Sequence, residues 1–308
     1  MNLPFWRHVL RISWRNKPFL PCLLFLLMLF TATLLAPQMT HYRPDQIDLS
    51  AQFAPASWTH LLGADENGRD VLTRLIFGAR ASLLVGLVSA AISAGIGVLF
   101  GITAGYFGRY VDALIMRVTD GFMSIPLFFL LLTILTLFGS NLTNVVIVIG
   151  LTSWMRVARM VRSEVLKQRA MDYVLAARAI GAKDQGILWR HILPHTLPVT
   201  AVATTLNIAF AILTESALSF LGLGVQPPTP SWGNMLASSQ TYLWTAPQLA
   251  IYPGLLILLT VLSFNALGDG VLDLMDPRTR WVPQSETPTK VGRQAEPATR
   301  QEVATETP

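Results

Sequence analysis

The chain has 308 residues, 52% of them hydrophobic and only 13% charged, with a formal net charge of +5. Soluble domains carry about 25% charged residues, so this composition, at a mean hydropathy of +0.48, argues against a single water-soluble core. A basic balance of this kind also excludes little by itself: the Lys and Arg flank apolar runs, which is the pattern of membrane topology and not of a basic face on a nucleic-acid module, so no nucleic-acid partner is expected.

The apolar residues gather into runs long enough for helices that cross about 30 Å of hydrocarbon, which takes roughly 18 residues or more. In chain order, a segment at 1–18 carries Arg7, Arg11, Arg15 and Lys17 and leads into a first span over 19–36. A cleaved signal peptide fits loosely and would leave five spans, but the apolar stretch exceeds an h-region of about 7–15 residues, so an uncleaved anchor is expected. Its Cys22 is the only cysteine, so the chain alone builds neither a disulfide framework nor a cysteine metal site.

A loop over 37–80 precedes the second span, 82–104, in which Ser89, Ser93, Gly97, Gly101 and Gly105 recur every fourth residue. Small residues so spaced let another helix approach backbone to backbone. The third span, 125–138, is short between Pro126 and Gly139 and is expected to begin nearer Asp120. The fourth, 145–161, is the weakest, because Arg156 and Arg159 interrupt its end. Spans at 199–221 and 249–272 follow. The tail at 284–308, rich in Pro, Thr, Glu and Gln, holds too few apolar residues to offset its ordering entropy and is expected to be disordered.

Lys and Arg alternate between the intervening segments: four before span one, four against five acids in the next loop, then two, none, eight, none and five in the tail. Positive loops stay in the cytoplasm. The expected fold is therefore an all-α polytopic membrane bundle of six transmembrane helices over 19–283, in contact with lipid, with both termini cytoplasmic. The eight cations run from Arg156 to Arg190, six of them in a cytoplasmic loop of about 162–195.

That loop holds MDYVLAARAIGAKDQGILWRHILP, from Met171 to Pro194. It reads as two short helices broken at Gly181, a C-cap glycine, with Asp184 helping to start the second. Met171, Val174 and Leu175 supply one apolar face and Ile187, Leu188 and Ile192 another, while Arg178, Lys183 and Arg190 stay polar. On periodicity alone a generic amphipathic connector remains open.

In the 37–80 loop, DENGRD from Asp65 to Asp70 resembles a calcium loop only superficially. The glycine is fourth instead of sixth, and Ile76 occupies the twelfth place where Glu is needed. A turn at Asn67 and Gly68 is expected, with Asp70 capping a short helix that runs through Leu75 and ends at Gly78. Glu215, about 9 Å inside the end of span five, must face protein or water. Three roles stay open for it: lining a translocation pathway, binding a basic partner or making an interhelical hydrogen bond. His191 and His195 flank Pro194 with no third ligand apparent, so no metal is expected.

Ala176, Ala177 and Gly181, followed by Leu193 and Pro194, resemble the EAA loop of ABC-importer permeases, although Leu175 stands where that family often has Glu and His191 where it often has Ile. LLGADENGRDVLTRLIFGARASL, from Leu61 to Leu83, resembles the motif that precedes span two in the peptide and nickel branch, with Gly63, Asp65, Gly68, Arg69 and Asp70 in it. ESALSFLGLGVQPPTPSWGNML, from Glu215, and FNALGDGVLDLMDPR, from Phe264, resemble later motifs of the same branch, so the resemblance covers Arg7 to Trp281.

It implies the C-type permease subunit of a dipeptide, oligopeptide or nickel importer in a bacterial inner membrane. Peptides come first, because DYVLAARAIGA and RHILP are more similar to that side of the branch. Implied partners are a B-type second permease, two ABC ATPase subunits docking on the EAA loop, and an extracytoplasmic substrate-binding protein over the outer loop. The sequence holds no G-x-x-x-x-G-K-[ST] cradle, so ATP and magnesium are expected on the partner ATPase subunits and no cofactor on this chain. An intramembrane enzyme needs a converging nucleophile and base, and no Ser-His or His-Glu pair falls in the spans. An ion-driven transporter is expected to carry more ionisable residues at membrane depth than Glu215.

Overall fold

The computed structural model describes residues 18–275. The cationic segment with Arg7, Arg11, Arg15 and Lys17, the 284–308 tail and the last residues of the final motif lie outside them.

The elements are helices throughout: α1 (Phe19–Leu34), α2 (Ala36–Met39), α3 (Val71–Phe107), α4 (Arg109–Ser124), α5 (Leu127–Phe138), α6 (Leu142–Arg169), α7 (Asp172–Ala179), α8 (Asp184–Ile187), α9 (Leu193–Phe220), α10 (Trp232–Ser239) and α11 (Gln248–Met275). A π turn, Leu188–Ile192, joins α8 to α9 without a break. Among the described residues, four stretches are long and apolar enough to cross a membrane: Val71–Phe107, Leu142–Arg169, Asp184–Phe220 and Gln248–Leu272. α4 and α5 make a fifth only if counted together, and the apolar α1 is 16 residues long.

Three expectations change. The helix capped by Asp70 does not end at Gly78 but runs on as α3 through Phe107. Gly78 instead supplies a flat spot, since a Cβ there would lie 3.4 Å from the Trp232 ring and the Ser231 backbone. The third span is not one straight helix from near Asp120. The chain bends by 81° between α4 and α5, because Pro126 pushes Ile125 into an extended conformation (φ −83°, ψ 126°) and so ends α4 at Ser124. α5 alone, at 12 residues, rises only about 18 Å. Finally, α6 continues past Arg156 and Arg159 to Arg169. Arg159 pairs with Asp120 and Arg162 with Asp112, so α4 supplies the counter-charges that let a cationic helix continue.

The small-residue stripe of α3 packs on α6 as its spacing requires. Cβ atoms at Gly97 and Gly101 would lie 2.9 Å and 2.7 Å from the carbonyl oxygens of Trp154 and Ala158, and one at Gly105 would lie 3.0 Å from that of Arg162. Only glycine admits backbone contact this close. Polar stripe members tie the same layer together: Ser89 Oγ donates to the Val146 carbonyl (2.9 Å), and Asn207 Nδ2 of α9 donates to Ser93 Oγ (2.8 Å). α9 thus joins α3 and α6 as the third wall. α1, α10 and α11 complete a second apolar core around Leu83, Ile212 and Trp232.

Candidate functional site

The elbow over 171–194 is built on a rigid turn. α7 ends in a Schellman arrangement: the N–H of Ala182 donates to the carbonyl of Ala177 (3.0 Å), and that of Gly181 to Arg178 (3.1 Å). Gly181 takes φ +82° to close it, a left-handed conformation that costs any residue with a Cβ about 1–2 kcal/mol. The second limb begins at Asp184 as expected, but the Asp184 carboxylate makes no cap bond and accepts instead from the Tyr106 hydroxyl at 2.5 Å. Arg178 of the first limb reaches the same hydroxyl at 3.5 Å. Tyr106, at the end of α3, therefore pins both limbs.

The root of the elbow is buried and its tip is not. Val174, Ile187 and Ile192 have no exposed surface and share a core with Tyr106, Val157, Val161, Val165 and Ala203. Met171 and Leu175, expected on the inner face, are exposed. The eight-residue α7 docks through Val174 and Ala177, and Met171 precedes its first turn. Ala176 and Gly181 are exposed, Pro194 is exposed, and Leu193 is half-buried. Ile180 at the tip (86% exposed) and Trp189 in the π turn (71%) add exposed apolar surface that periodicity did not reveal. The π turn ahead of Pro194 has a local cause. A proline offers no N–H and its ring crowds the carbonyl four residues earlier, here Arg190, which lies in the widened turn.

His191 and His195 flank the Tyr173 ring, at centroid distances of 6.0 Å and 5.5 Å. Burial, with the Glu164 carboxylate second, holds the Tyr173 phenol above its ordinary pKa. It stays protonated and donates to Gln168 at 2.5 Å.

The residues singled out in the 37–80 loop do converge. Asp65 is buried at the centre: Oδ1 accepts from the N–H groups of Asn67 and Arg69 (2.9 Å each), and Oδ2 accepts from Arg69 Nε at 2.7 Å, with Arg74 Nε at 3.3 Å. Arg69 also donates to Glu66 at 2.8 Å. Asp70 caps α3 through the Thr73 N–H (2.8 Å) and hydroxyl (2.7 Å) and lies 3.0 Å from His60 Nδ1. Gly63 and Gly68 take φ +81° and +70°, and a Cβ on Gly68 would fall 1.7 Å from the Asp48 carbonyl. The motif is thus a self-satisfied knot at the head of α3. Trp58, at 97%, Leu49, at 70%, and Leu61, at 56%, are exposed in the same loop.

Glu215 makes an interhelical hydrogen bond, one of the three roles left open for it. It is fully buried in α9, its Oε1 accepting from Ser219 Oγ (2.6 Å) and its Oε2 from Ser82 Oγ of α3 (3.3 Å). Those hydroxyls in turn accept from the N–H groups of Val225 and Trp232. In this conformation it faces protein, not an open path.

Comparison with known proteins agrees over most of this framework. Residues 97–281 match the family described as binding-protein-dependent transport system inner membrane component. The di/tripeptide transport system permease protein DppC of Pseudomonas aeruginosa is 41% identical over 271 residues, covering 86% of this chain and 89% of that protein. A Brucella ovis protein carrying a provisional peptide-permease name is 42% identical over 266 residues, covering 86% and 88%. Among solved structures, the MetNI methionine ABC transporter in an inward-facing conformation superposes with a TM-score of 0.55 at 20% identity, over 65% of this chain and 95% of that one, and so shares its fold. The chain belongs to the family of binding-protein-dependent transport system inner membrane components and is a multi-pass membrane transport subunit.

Proposed function

We propose that the chain is the C-type permease of an ATP-driven peptide importer in a bacterial inner membrane, forming half of the translocation pathway. The carrying observation is the elbow: a buried root shared with α3, α6 and α9, and an exposed tip of Ala176, Ile180 and Gly181. A motor outside the membrane cannot push on lipid-embedded helices directly, and a rigid piece in contact with both is the means of passing its motion on. Two ABC ATPase subunits carry ATP and magnesium, and the coupling loop of Ala176, Ala177, Gly181, Leu193 and Pro194 presents Ala176, Gly181 and Pro194 to the one that docks on it, with Ala177 anchoring it to the root. A B-type permease completes the pathway, and a substrate-binding protein docks on the opposite face, over 37–80. The proposed topology counts α1 and the bent α4–α5 pair as spans, giving six with both ends cytoplasmic, over a 19–283 permease domain. The peptide assignment draws on the names carried by the relatives at 40–42% identity.

The test is reconstitution in liposomes with the second permease, the ATPases and the binding protein. Dipeptide uptake is expected to require ATP and the binding protein, and to persist when the proton gradient is collapsed with ATP maintained. Uptake by this chain alone without nucleotide overturns the reading, and uptake of nickel in place of dipeptide overturns the substrate.

A further inference from the structure

α6 carries three arginines at three-residue spacing, Arg156, Arg159 and Arg162, on neighbouring turns. Two are neutralised by α4, through Asp120 and Asp112. No carboxylate among the described residues lies within ion-pair distance of Arg156. Its guanidinium instead sits 4.2 Å from the centre of the Phe210 ring of α9. Arg156 is midway along α6, roughly 20 Å from either end at about 1.5 Å per residue. Arg156 is exposed on this chain; a cation on a membrane-spanning helix requires water or a partner, and such charges mark substrate routes.

Arg156 opens into a cavity of about 170 Å³ at the break between α4 and α5, lined also by Ser153, Thr152, Pro126, Phe122 and Phe210. Thr152 is satisfied by the Val148 carbonyl at 2.7 Å. Ser153 is not: its residue is 9% exposed, and its hydroxyl is buried with no partner among the described residues. A buried hydroxyl without a partner costs about 1–3 kcal/mol and calls for a ligand or water. One wall of the cavity is therefore cationic with a free hydroxyl beside it, and the others are aromatic and aliphatic.

We propose that Arg156 and Ser153 form a subsite for the terminal carboxylate of the transported peptide, with Phe122 and Phe210 flanking its last side chain. The inference rests on the peptide-permease reading above. A guanidinium fork matches the two oxygens of a carboxylate, and a hydroxyl can give a third hydrogen bond. The volume is below the roughly 300–1,000 Å³ of a complete ligand pocket, so it holds one residue and leaves the rest of the peptide to the wall contributed by the second permease.

The test uses the full reconstituted importer with the binding protein saturated by Ala-Phe. Arg156→Gln is expected to lower peptide taken up per ATP hydrolysed about tenfold, the usual scale for one charged hydrogen bond, and Arg156→Lys to lower it less. A parallel fall in uptake and hydrolysis that leaves their ratio at the wild-type value overturns the subsite, as does loss of the second permease on purification, which would make an acid of that subunit the partner. In an importer with its native cysteines replaced by serine, Cys22 included, Ser153→Cys is expected to be alkylated more slowly in the presence of Ala-Phe but not of its C-terminal amide. Equal protection by both, or by neither, overturns the carboxylate assignment. Failure of the wild-type importer to take up Ala-Phe refutes the peptide reading instead.

Discussion

Gly181 separates the mechanical role of the elbow from its folding. Its φ of +82° imposes about 1–2 kcal/mol of backbone strain on alanine or tryptophan, and less on asparagine, which tolerates the left-handed region. A Cβ there meets nothing within 4 Å among the described residues, so a larger side chain starts into open space. Two Schellman hydrogen bonds and the buried Val174 and Ile187 still hold the turn. Gly181→Trp is therefore expected to insert and copurify with its partners, with a stability loss of about 1–2 kcal/mol by thermal unfolding in detergent. Uptake, and the stimulation of ATP hydrolysis by loaded binding protein, are expected to fall steeply, because the added bulk projects from the tip assigned to the ATPase cleft. Gly181→Asn, which carries little strain and modest bulk, is expected to stay near wild type, and Gly181→Ala to lose stability without losing coupling. Normal uptake by Gly181→Trp would falsify the coupling assignment, and an equal loss in Ala and Trp variants would trace the effect to backbone strain.

Three further outcomes follow from the packing. Gly101→Leu puts its Cβ 2.7 Å from the Ala158 carbonyl and 2.8 Å from Val161, forcing α3 and α6 apart, whereas a Cβ at Gly95 on the same helix meets nothing within 4 Å. Gly101→Leu is expected to cost about 1–3 kcal/mol or more and to abolish a monodisperse peak in size-exclusion chromatography, while Gly95→Leu leaves it intact. Asp70→Ala removes the cap of α3, expected to cost about 1 kcal/mol in thermal unfolding, with Asp70→Ser recovering most of it. A double-mutant cycle on Asp112 and Arg162, whose side chains are 18% and 31% exposed, is expected to give a larger coupling energy than one on Asp120 and Arg159, at 63% and 44%. Solvent screening brings the second pair close to zero, and a reversed order would show that the α4 acids do not neutralise α6 as described.

The sequence made legible what depends on local pattern. The stripe from Ser89 to Gly105 announced a backbone-close helix contact, Gly181 its left-handed turn and Asp70 its cap, because each is set by a residue type at a fixed offset. What stayed hidden depends on partners distant in sequence. Arg156 and Arg159 read as the end of a span because hydropathy sums a charge without its partner, here the Phe210 ring for Arg156 and, 39 residues from Arg159, Asp120. The 81° bend was half visible: Pro126 was plain, but the shortness of 125–138 suggested extending the span backwards over an amphipathic helix. Tyr106 could not be singled out at all, since its role rests on two limbs of an elbow more than 70 residues further on.

The continuity of the second limb with α9 gives the elbow a direction of action. α8, the π turn and α9 form one path from Asp184 to Phe220, so displacement of the tip is delivered axially to the helix that carries Phe210, Asn207 and Glu215. The first limb has no such extension and ends against α3 and α6 through Val174, Ala177 and the Tyr106 hydroxyl. On the proposed reading, the two limbs transmit different components of one motion, α9 moving along its axis while α3 and α6 act as the frame against which it slides. The widened turn is the compliant point of that path, since a π turn holds its hydrogen bonds in poorer register than an α-helix. Pro194, which keeps that turn open, is then a determinant of how far the tip must travel before α9 responds: Pro194→Ala should stiffen the connection and change the ATP hydrolysed per peptide moved, and an unchanged ratio would refute the axial route.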